Sequence, residues 1–106
     1  MMKKSYLFGA CGLELDAARS TIEQALGLTL AAHESDYYGG NYYRFDGDSH
    51  LVLRTNFLDD DGEMAEAEYT ETVLLYLDGE AANADGVAAV VSQRLSLFRQ
   101  LRTSSY

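Results

Sequence analysis

Apolar and polar residues follow two spacings along this chain, one typical of strands and one of helices. The run "SYLFGACG" (residues 5–12) is apolar, rich in aromatics and closed by glycine, which predicts a buried first strand. A helix is expected next, with Asp16 at its N-cap and Gly27 at its end. Its apolar residues recur at helical spacing: Ala18, Ile22, Ala25 and Leu26.

A tyrosine-rich stretch in the middle of the chain predicts a hairpin. The segments "LTLAAHES" and "NYYRFDG" are strand-like, and residues 37–45, "YYGGNYYRF", hold half of the eight tyrosines. Gly39, Gly40 and Asn41 can supply the positive φ angles of a tight turn. Tyrosine is a favourable strand residue beside such a turn, and strand alternation places one member of each tyrosine pair toward the core.

Two further strands and a closing helix are predicted in the second half. "HLVLRTNF" (50–57) alternates between two faces, which indicates a central or near-central strand. "TVLLYLDG" (72–79) is almost continuously apolar, as expected of an inner strand. A last amphipathic helix is marked by Val87, Val90, Val91, Leu95, Phe98 and Leu101, with Arg99 and Arg102 near its C-terminal end.

These elements predict a single α+β domain over residues 1–106. The order is β-α-β-β-β-β-α, which favours a mainly antiparallel sheet with two helices on one face. The opposite face, or part of it, is expected to meet solvent or a partner. A chain of 106 residues can bury one hydrophobic core without metal or disulfide bonds.

Charge separates this chain from an ordinary domain of its size. The net charge is -9, and the stretch from Thr55 to Gln93 contains ten acids and no Lys or Arg, so we expect these ten acids to lack a counter-charge. Such a surface repels phosphate backbones and anionic lipid, and it attracts basic proteins. Nucleic acid and membrane are therefore not expected as partners.

The single cysteine indicates a reducing compartment such as the cytoplasm, because Cys11 has no partner for an internal disulfide. "MMKK" and the following apolar run are too short for an export signal. Cys11 is expected to be a buried structural residue in a tight turn. An enzyme built on it would need His33 or His50 within hydrogen-bond reach, and we expect no catalytic residue.

The acidic run "DDDGEMAEAE" has an incomplete calcium-loop spacing. Placing Gly62 at the obligatory glycine puts Asp59, Asp61 and Glu68 at ligand positions, but Phe57 then occupies the first. No metal site and no cofactor are therefore expected.

Residues 28–80 resemble small bacterial immunity proteins. The resemblance lies in "HESDYYGGNYYRF", a strand ending in "RTNF", an acidic linker, "LLYLDG" and a closing helix. Such proteins accompany polymorphic toxins or those of contact-dependent growth inhibition. The resemblance implies a cytoplasmic protein that binds a cognate toxin domain and blocks its active site or substrate channel. It transfers no individual functional residue.

Charge and tyrosine content predict the residues that bind this partner, because acids steer a basic protein and tyrosines anchor interfaces. They are Asp36, Tyr37, Tyr38, Tyr42, Tyr43, Asp59, Asp60, Asp61, Glu63, Glu66 and Glu68. The alternative is a small-molecule-binding or regulatory α+β domain, which requires an apolar cavity between helices and sheet with a few convergent polar groups.

Overall fold

Two helices and six strands make up the part of the chain that the computed structural model describes, residues 2–35, 40–56 and 64–106. In chain order they are β1 (Lys3–Ala10), α1 (Leu15–Leu26), β2 (Ala31–Ser35), β3 (Gly40–Asp46), β4 (Ser49–Thr55), β5 (Val73–Glu80), α2 (Ala81–Arg94) and β6 (Arg99–Ser105).

The strands form one sheet in the order β2-β3-β4-β5-β1-β6, and every neighbouring pair is antiparallel. The predicted α+β class is therefore confirmed. So are the inner positions of β4 and β5, which pair with each other between β3 and β1. Pairing of Ser35 with Gly40 joins β2 and β3 as the expected hairpin, and residues 36–39 between them lie outside the described residues. The turn was predicted at Gly39, Gly40 and Asn41, but Gly40 and Asn41 belong to β3, and only Gly40 of these two has a positive φ, 119°.

Both helices pack on one face of the sheet, where alternate strand residues meet them. The buried strand residues of this core include Phe8, Leu51, Leu53, Val73, Leu75 and Leu77, and the helices contribute Ala18, Ile22, Ala84, Ala88 and Val91. Full burial of one such leucine stabilises the fold by about 1.5–3 kcal/mol. The predicted apolar face of α1 is thus the one that contacts the sheet.

The C-terminus corrects the predicted element order. The closing helix ends at Arg94 rather than continuing to Leu101, and residues 99–105 form β6 at the edge of the sheet. Leu95 leaves the helical conformation with φ -113° and ψ 75°. Leu95 and Phe98 are nevertheless buried, so the apolar spacing continues past the helix end. Backbone pairing with β1 decides the outcome, because β1 offers an otherwise unpaired edge.

The structure confirms the predicted C-terminal end of α1 but not its predicted N-cap. Gly27 ends the helix as predicted, with φ 67° and its N–H donated to the Glu23 carbonyl. The N-cap is Glu14 rather than Asp16, which lies inside the first turn. The Asp16 carboxylate accepts a hydrogen bond from the Tyr43 hydroxyl instead. Within the described ranges, neither helix has the length and apolarity to cross a membrane.

Candidate protein-binding surface

One end of the sheet carries the attachment points of both predicted binding segments. β3 begins and β4 ends there, and the paired residues Ser35 and Gly40 flank the first segment. Thr55, at the end of β4, pairs with Val73 at the start of β5, and Val73 also pairs with Ala10 at the end of β1. The antiparallel order therefore brings segments that are distant in sequence to a common end of the sheet.

Seven of the predicted partner-binding residues lie outside the described residues: Asp36, Tyr37, Tyr38, Asp59, Asp60, Asp61 and Glu63. Their segments, 36–39 and 57–63, contain five acids and three aromatic residues, with no Lys or Arg. The sequence makes both segments acidic and aromatic, and the described strand ends show where the chain enters and leaves them.

The second tyrosine pair is divided between the two faces of the sheet, as alternation predicts. Tyr43 faces the helices, where the Arg19 guanidinium lies 4.9 Å from its ring centre. The hydrogen bond to Asp16, together with burial, raises the Tyr43 pKa above its ordinary value. Tyr42 faces the other side and stacks on His33 with ring centres 5.4 Å apart. Both tyrosines are 9% exposed, so Tyr43 is a core residue and Tyr42 presents little free surface.

The two remaining predicted residues, Glu66 and Glu68, belong to residues 64–72, which we name the strap. Arg102 of β6 lies 2.7 Å from the Glu66 carboxylate and 3.4 Å from that of Glu68. The Tyr69 hydroxyl donates to the Leu101 carbonyl at 3.2 Å. The strap is therefore fastened to the C-terminal strand by residues that come after it in the chain.

The expectation that all ten acids lack a counter-charge is wrong for four of them. Glu66, Glu68 and Glu71 pair with arginines of β6, and Asp85 pairs with Lys4 of β1 at 2.9 Å. Antiparallel pairing brings these bases beside acids from a different part of the sequence. Asp59, Asp60, Asp61 and Glu63 lie outside the described residues. The two remaining acids of the stretch, Asp78 and Glu80, are described and form no ion pair with a described base.

Glu71 is the buried end of the strap. It is 4% exposed, and Arg99 donates to its carboxylate at 2.7 Å. A Cβ on Gly9 would lie 2.7 Å from the Glu71 Cβ, so the strap contacts the sheet face opposite the helices. That contact covers part of the face expected to meet solvent or a partner, whereas Asp46 and His50 on the same face are exposed.

Acid should weaken this attachment. The hydrogen bond from Arg99 lowers the Glu71 pKa below its ordinary value of 4.5. Since the folded pKa lies below the unfolded one, ionised Glu71 stabilises the fold above about pH 4.5, and that contribution is lost as pH falls through the folded pKa. We expect Glu71→Gln to flatten the fall in unfolding free energy below that pH. Denaturant titrations between pH 3 and 7 measure it, with exposed Glu68→Gln as control; equal slopes for both variants would contradict the assignment.

Asn56 holds the turn of the strap. The residue is fully buried, and its amide nitrogen lies 3.3, 3.2 and 2.9 Å from the carbonyl oxygens of Glu66, Tyr69 and Glu71. Its side-chain oxygen accepts from the Glu66 N–H at 2.8 Å. The strap is neither helix nor strand, so its backbone groups lack regular hydrogen-bond partners. The Asn56 side chain supplies such partners.

Sequence patterns did not identify Asn56, Glu71, Arg99 or Arg102 as parts of this surface. Arg99 and Arg102 were assigned to a helix end, although they are the first bases to follow the acidic stretch apart from Arg94. That spacing between opposite charges is the available signal for their pairing. The sequence around Asn56 carries no comparable signal, because its partners come from the strap, ten to fifteen residues later.

A second candidate site, the interhelical groove, lies between α1, α2 and the β3–β4 hairpin. It encloses about 510 Å³, and its walls are mostly apolar. Asp48, Ser49, Asn83 and Arg94 are the polar residues on its lining. Gly86 also lines it, and a Cβ there would meet no atom within 4 Å. A helical glycine costs about 0.5–1 kcal/mol relative to alanine, and here it leaves the groove open.

Cys11 is exposed, which corrects the expectation of a buried residue. β1 ends at Ala10, and the chain then turns through Gly12 with φ 69°. The thiol lies 3.9 Å from the Thr70 carbonyl. Neither histidine is within hydrogen-bond reach, because His33 lies on β2, four strand spacings or about 19 Å away across the sheet. His50 contacts Asp46 at the opposite end of the sheet.

The calcium-loop positions are only partly described. Asp59 and Asp61 lie outside the described residues, and Glu68 contacts Arg102. Among the residues that the structure does describe, no cluster of three His, Cys, Asp or Glu side chains is arranged to hold a metal ion.

A scan of the chain against protein-family models finds no match, and a search of curated proteins also finds none. Fold and surface define an α+β protein with a six-stranded antiparallel sheet and an interhelical groove.

Proposed function

We propose that this chain is an immunity protein that binds and neutralises a cognate, basic toxin domain in the cytoplasm, without catalysis of its own. One observation supports it most: the antiparallel sheet holds the described flanks of segments 36–39 and 57–63 at the same end. Those segments carry five acids, three aromatic residues and no base. Acids that steer a basic partner would therefore adjoin aromatic groups that anchor it.

Electrostatic steering is expected to control the association rate. Replacing Asp59, Asp60 and Asp61 together by asparagine should lower the on-rate by about tenfold at low salt, because negative charge raises the encounter rate with a basic protein. The difference should shrink as salt shortens the range of the field to about 10 Å at 0.1 M. Stopped-flow or surface-based kinetics against the product of the adjacent toxin gene measures it.

A matched control removes the same charge from the other end of the sheet. The variant with Asp48→Asn, Asp78→Asn and Glu80→Gln changes three described acids near the paired residues Ser49 and Gly79. Its on-rate should stay closer to that of the unaltered chain. Equal slowing by both triple variants would show that net charge acts without the proposed surface, and absence of binding to the toxin would refute the immunity function.

Tyrosine substitutions should separate binding from folding. Tyr37→Ala or Tyr38→Ala should raise the off-rate by the equivalent of roughly 1–3 kcal/mol where the ring anchors the interface. Tyr43→Ala should instead lower the unfolding free energy, since this ring is buried and its hydroxyl contacts Asp16. Dissociation kinetics and denaturant unfolding on the same variants test the division. Unchanged dissociation for both Tyr37→Ala and Tyr38→Ala would remove the tyrosines from the proposed interface.

The interhelical groove favours a second candidate function, small-molecule binding. Its volume of about 510 Å³ is that of many small-molecule sites, and it combines apolar walls with four polar residues. Saturable binding of a small ligand with shifts confined to groove residues would support this function. The groove lies on the helix side of the sheet, so occupancy there is separable from partner binding through the two acidic segments.

A further inference from the structure

The interhelical groove has a length and a direction. Asn83, Gly86, Val87, Val90 and Arg94 recur at three- and four-residue spacing, so one face of α2 runs along it. Asn83 and Arg94 lie eleven positions apart, which corresponds to about 16 Å along a helix. The open space over Gly86 lies between them. The cavity is therefore elongated, with an apolar middle and polar ends.

The two ends carry opposite charges. Asp48 lies at the start of α2, because the Asp48 carbonyl oxygen is 3.3 Å from the Cβ position of Gly79, which precedes the helix by two residues. Arg94 is the last residue of α2, where the helix C-terminus favours a cation. An elongated ligand with one anionic end would thus be oriented with that end toward Arg94 and away from Asp48.

Arg94 is also available for a ligand. Arg44, Arg99 and Arg102 each contact a carboxylate, whereas Arg94 forms no ion pair with any acid among the described residues. Arg19 likewise forms no ion pair among the described residues, but its guanidinium lies against the Tyr43 ring, whereas Arg94 lines the groove. Its exposed guanidinium at the end of an apolar groove can pair with a carboxylate in a charge-assisted hydrogen bond.

We infer that the interhelical groove binds an unbranched fatty-acid-type carboxylate, with the carboxylate at Arg94 and the tail running past Gly86 toward Asp48. This inference rests on the second candidate function and is independent of toxin binding. Leu26, Leu28, Phe45, Val87 and Val90 provide apolar contacts for the tail. Burial of that tail supplies most of the affinity, and the charge at Arg94 selects the head group.

Three probes of equal chain length test the head group: dodecanoate, dodecanol and dodecylammonium, each below its solubility limit and the two ions also below their micelle concentrations. Titration of isotope-labelled full-length protein, followed by amide NMR and calorimetry, should show saturable dodecanoate binding with shifts at Leu26, Val87 and Val90. Dodecylammonium should bind about tenfold more weakly. Arg94→Gln should weaken dodecanoate by about three- to tenfold and leave dodecanol unchanged, whereas Arg94→Lys should retain most of the preference.

Two glycine variants test the location. Gly86→Leu places a side chain in the open space and should abolish binding of all three probes, whereas Gly86→Ala should bind dodecanoate more tightly than Gly86→Leu does. Equal affinity for all three probes, unchanged by Arg94→Gln, would overturn the carboxylate assignment and leave an apolar site. Absence of saturable binding by any probe would refute the small-molecule function itself. Toxin binding is measured separately on the same protein. A failure of the carboxylate assignment or of the small-molecule function is thereby distinguished from a failure of the immunity proposal.

Discussion

Replacing Asn56 by aspartate should lower the free energy of unfolding by about 3 kcal/mol or more, since a buried carboxylate oxygen would replace the amide nitrogen that donates to three carbonyl oxygens. The change is isosteric and replaces only the amide nitrogen. In the unaltered chain this nitrogen lies within 3.3 Å of three backbone carbonyl oxygens of the strap. Asn56→Ala should cost less, about 2 kcal/mol, because it removes the hydrogen bonds without burying a charge. Urea denaturation followed by circular dichroism measures both.

Asn41→Asp is the matched control, because Asn41 is exposed on β3 and the same atom is changed. Its unfolding free energy should stay within about 0.5 kcal/mol of the unaltered chain. Hydrogen exchange adds a local readout: in Asn56→Asp, the amides of Ala65, Glu66 and Tyr69 should lose protection first. If Asn56→Asp and Asn41→Asp unfolded at the same urea concentration, Asn56 would not be what holds the strap.

Gly9→Ala should also destabilise the fold, by about 2 kcal/mol, and Gly9→Val by more, because an added side chain overpacks a close contact. A Cβ at this position would lie 2.7 and 2.8 Å from the Cβ and Cγ atoms of Glu71, and 2.8 Å from Cδ1 of Leu101. Gly9 is on β1, which pairs with β5 on one side and β6 on the other, so the backbone has little freedom to move away. Either the strap or β6 must shift.

A second glycine provides the opposite expectation. Gly86→Ala adds a Cβ where no atom lies within 4 Å. The residue lies in α2, and alanine favours the helical conformation more than glycine does. It should raise the unfolding free energy by about 0.5–1 kcal/mol. Chemical denaturation of both alanine variants compares them directly. If Gly9→Ala were as stable as Gly86→Ala, the strap would not rest on β1.

Local spacing was sufficient to predict β1 to β5 and most of α1. Leu51 and Leu53 on one side of β4, with Val52 between them, are recognisable because strand side chains alternate regardless of what they contact. Gly27 is recognisable as the end of α1 because the left-handed conformation that ends many helices favours glycine, whatever the helix contacts. The C-terminal strand was not recognisable, because Leu95 and Phe98 continue the helical spacing while the pairing that forms β6 lies on β1.

The candidate surface divides in the same way. The sequence by itself determined the acidic and aromatic composition of segments 36–39 and 57–63, because composition requires no partner. The described pairing of Ser35 with Gly40 and of Thr55 with Val73 shows which end of the sheet holds their flanks. Only the tertiary structure decided that Arg102 contacts both Glu66 and Glu68, that Asn56 holds the strap, and that Gly86 opens a groove. These depend on contacts between residues far apart in the chain, and spacing along a sequence does not specify which distant residues the folded sheet brings together.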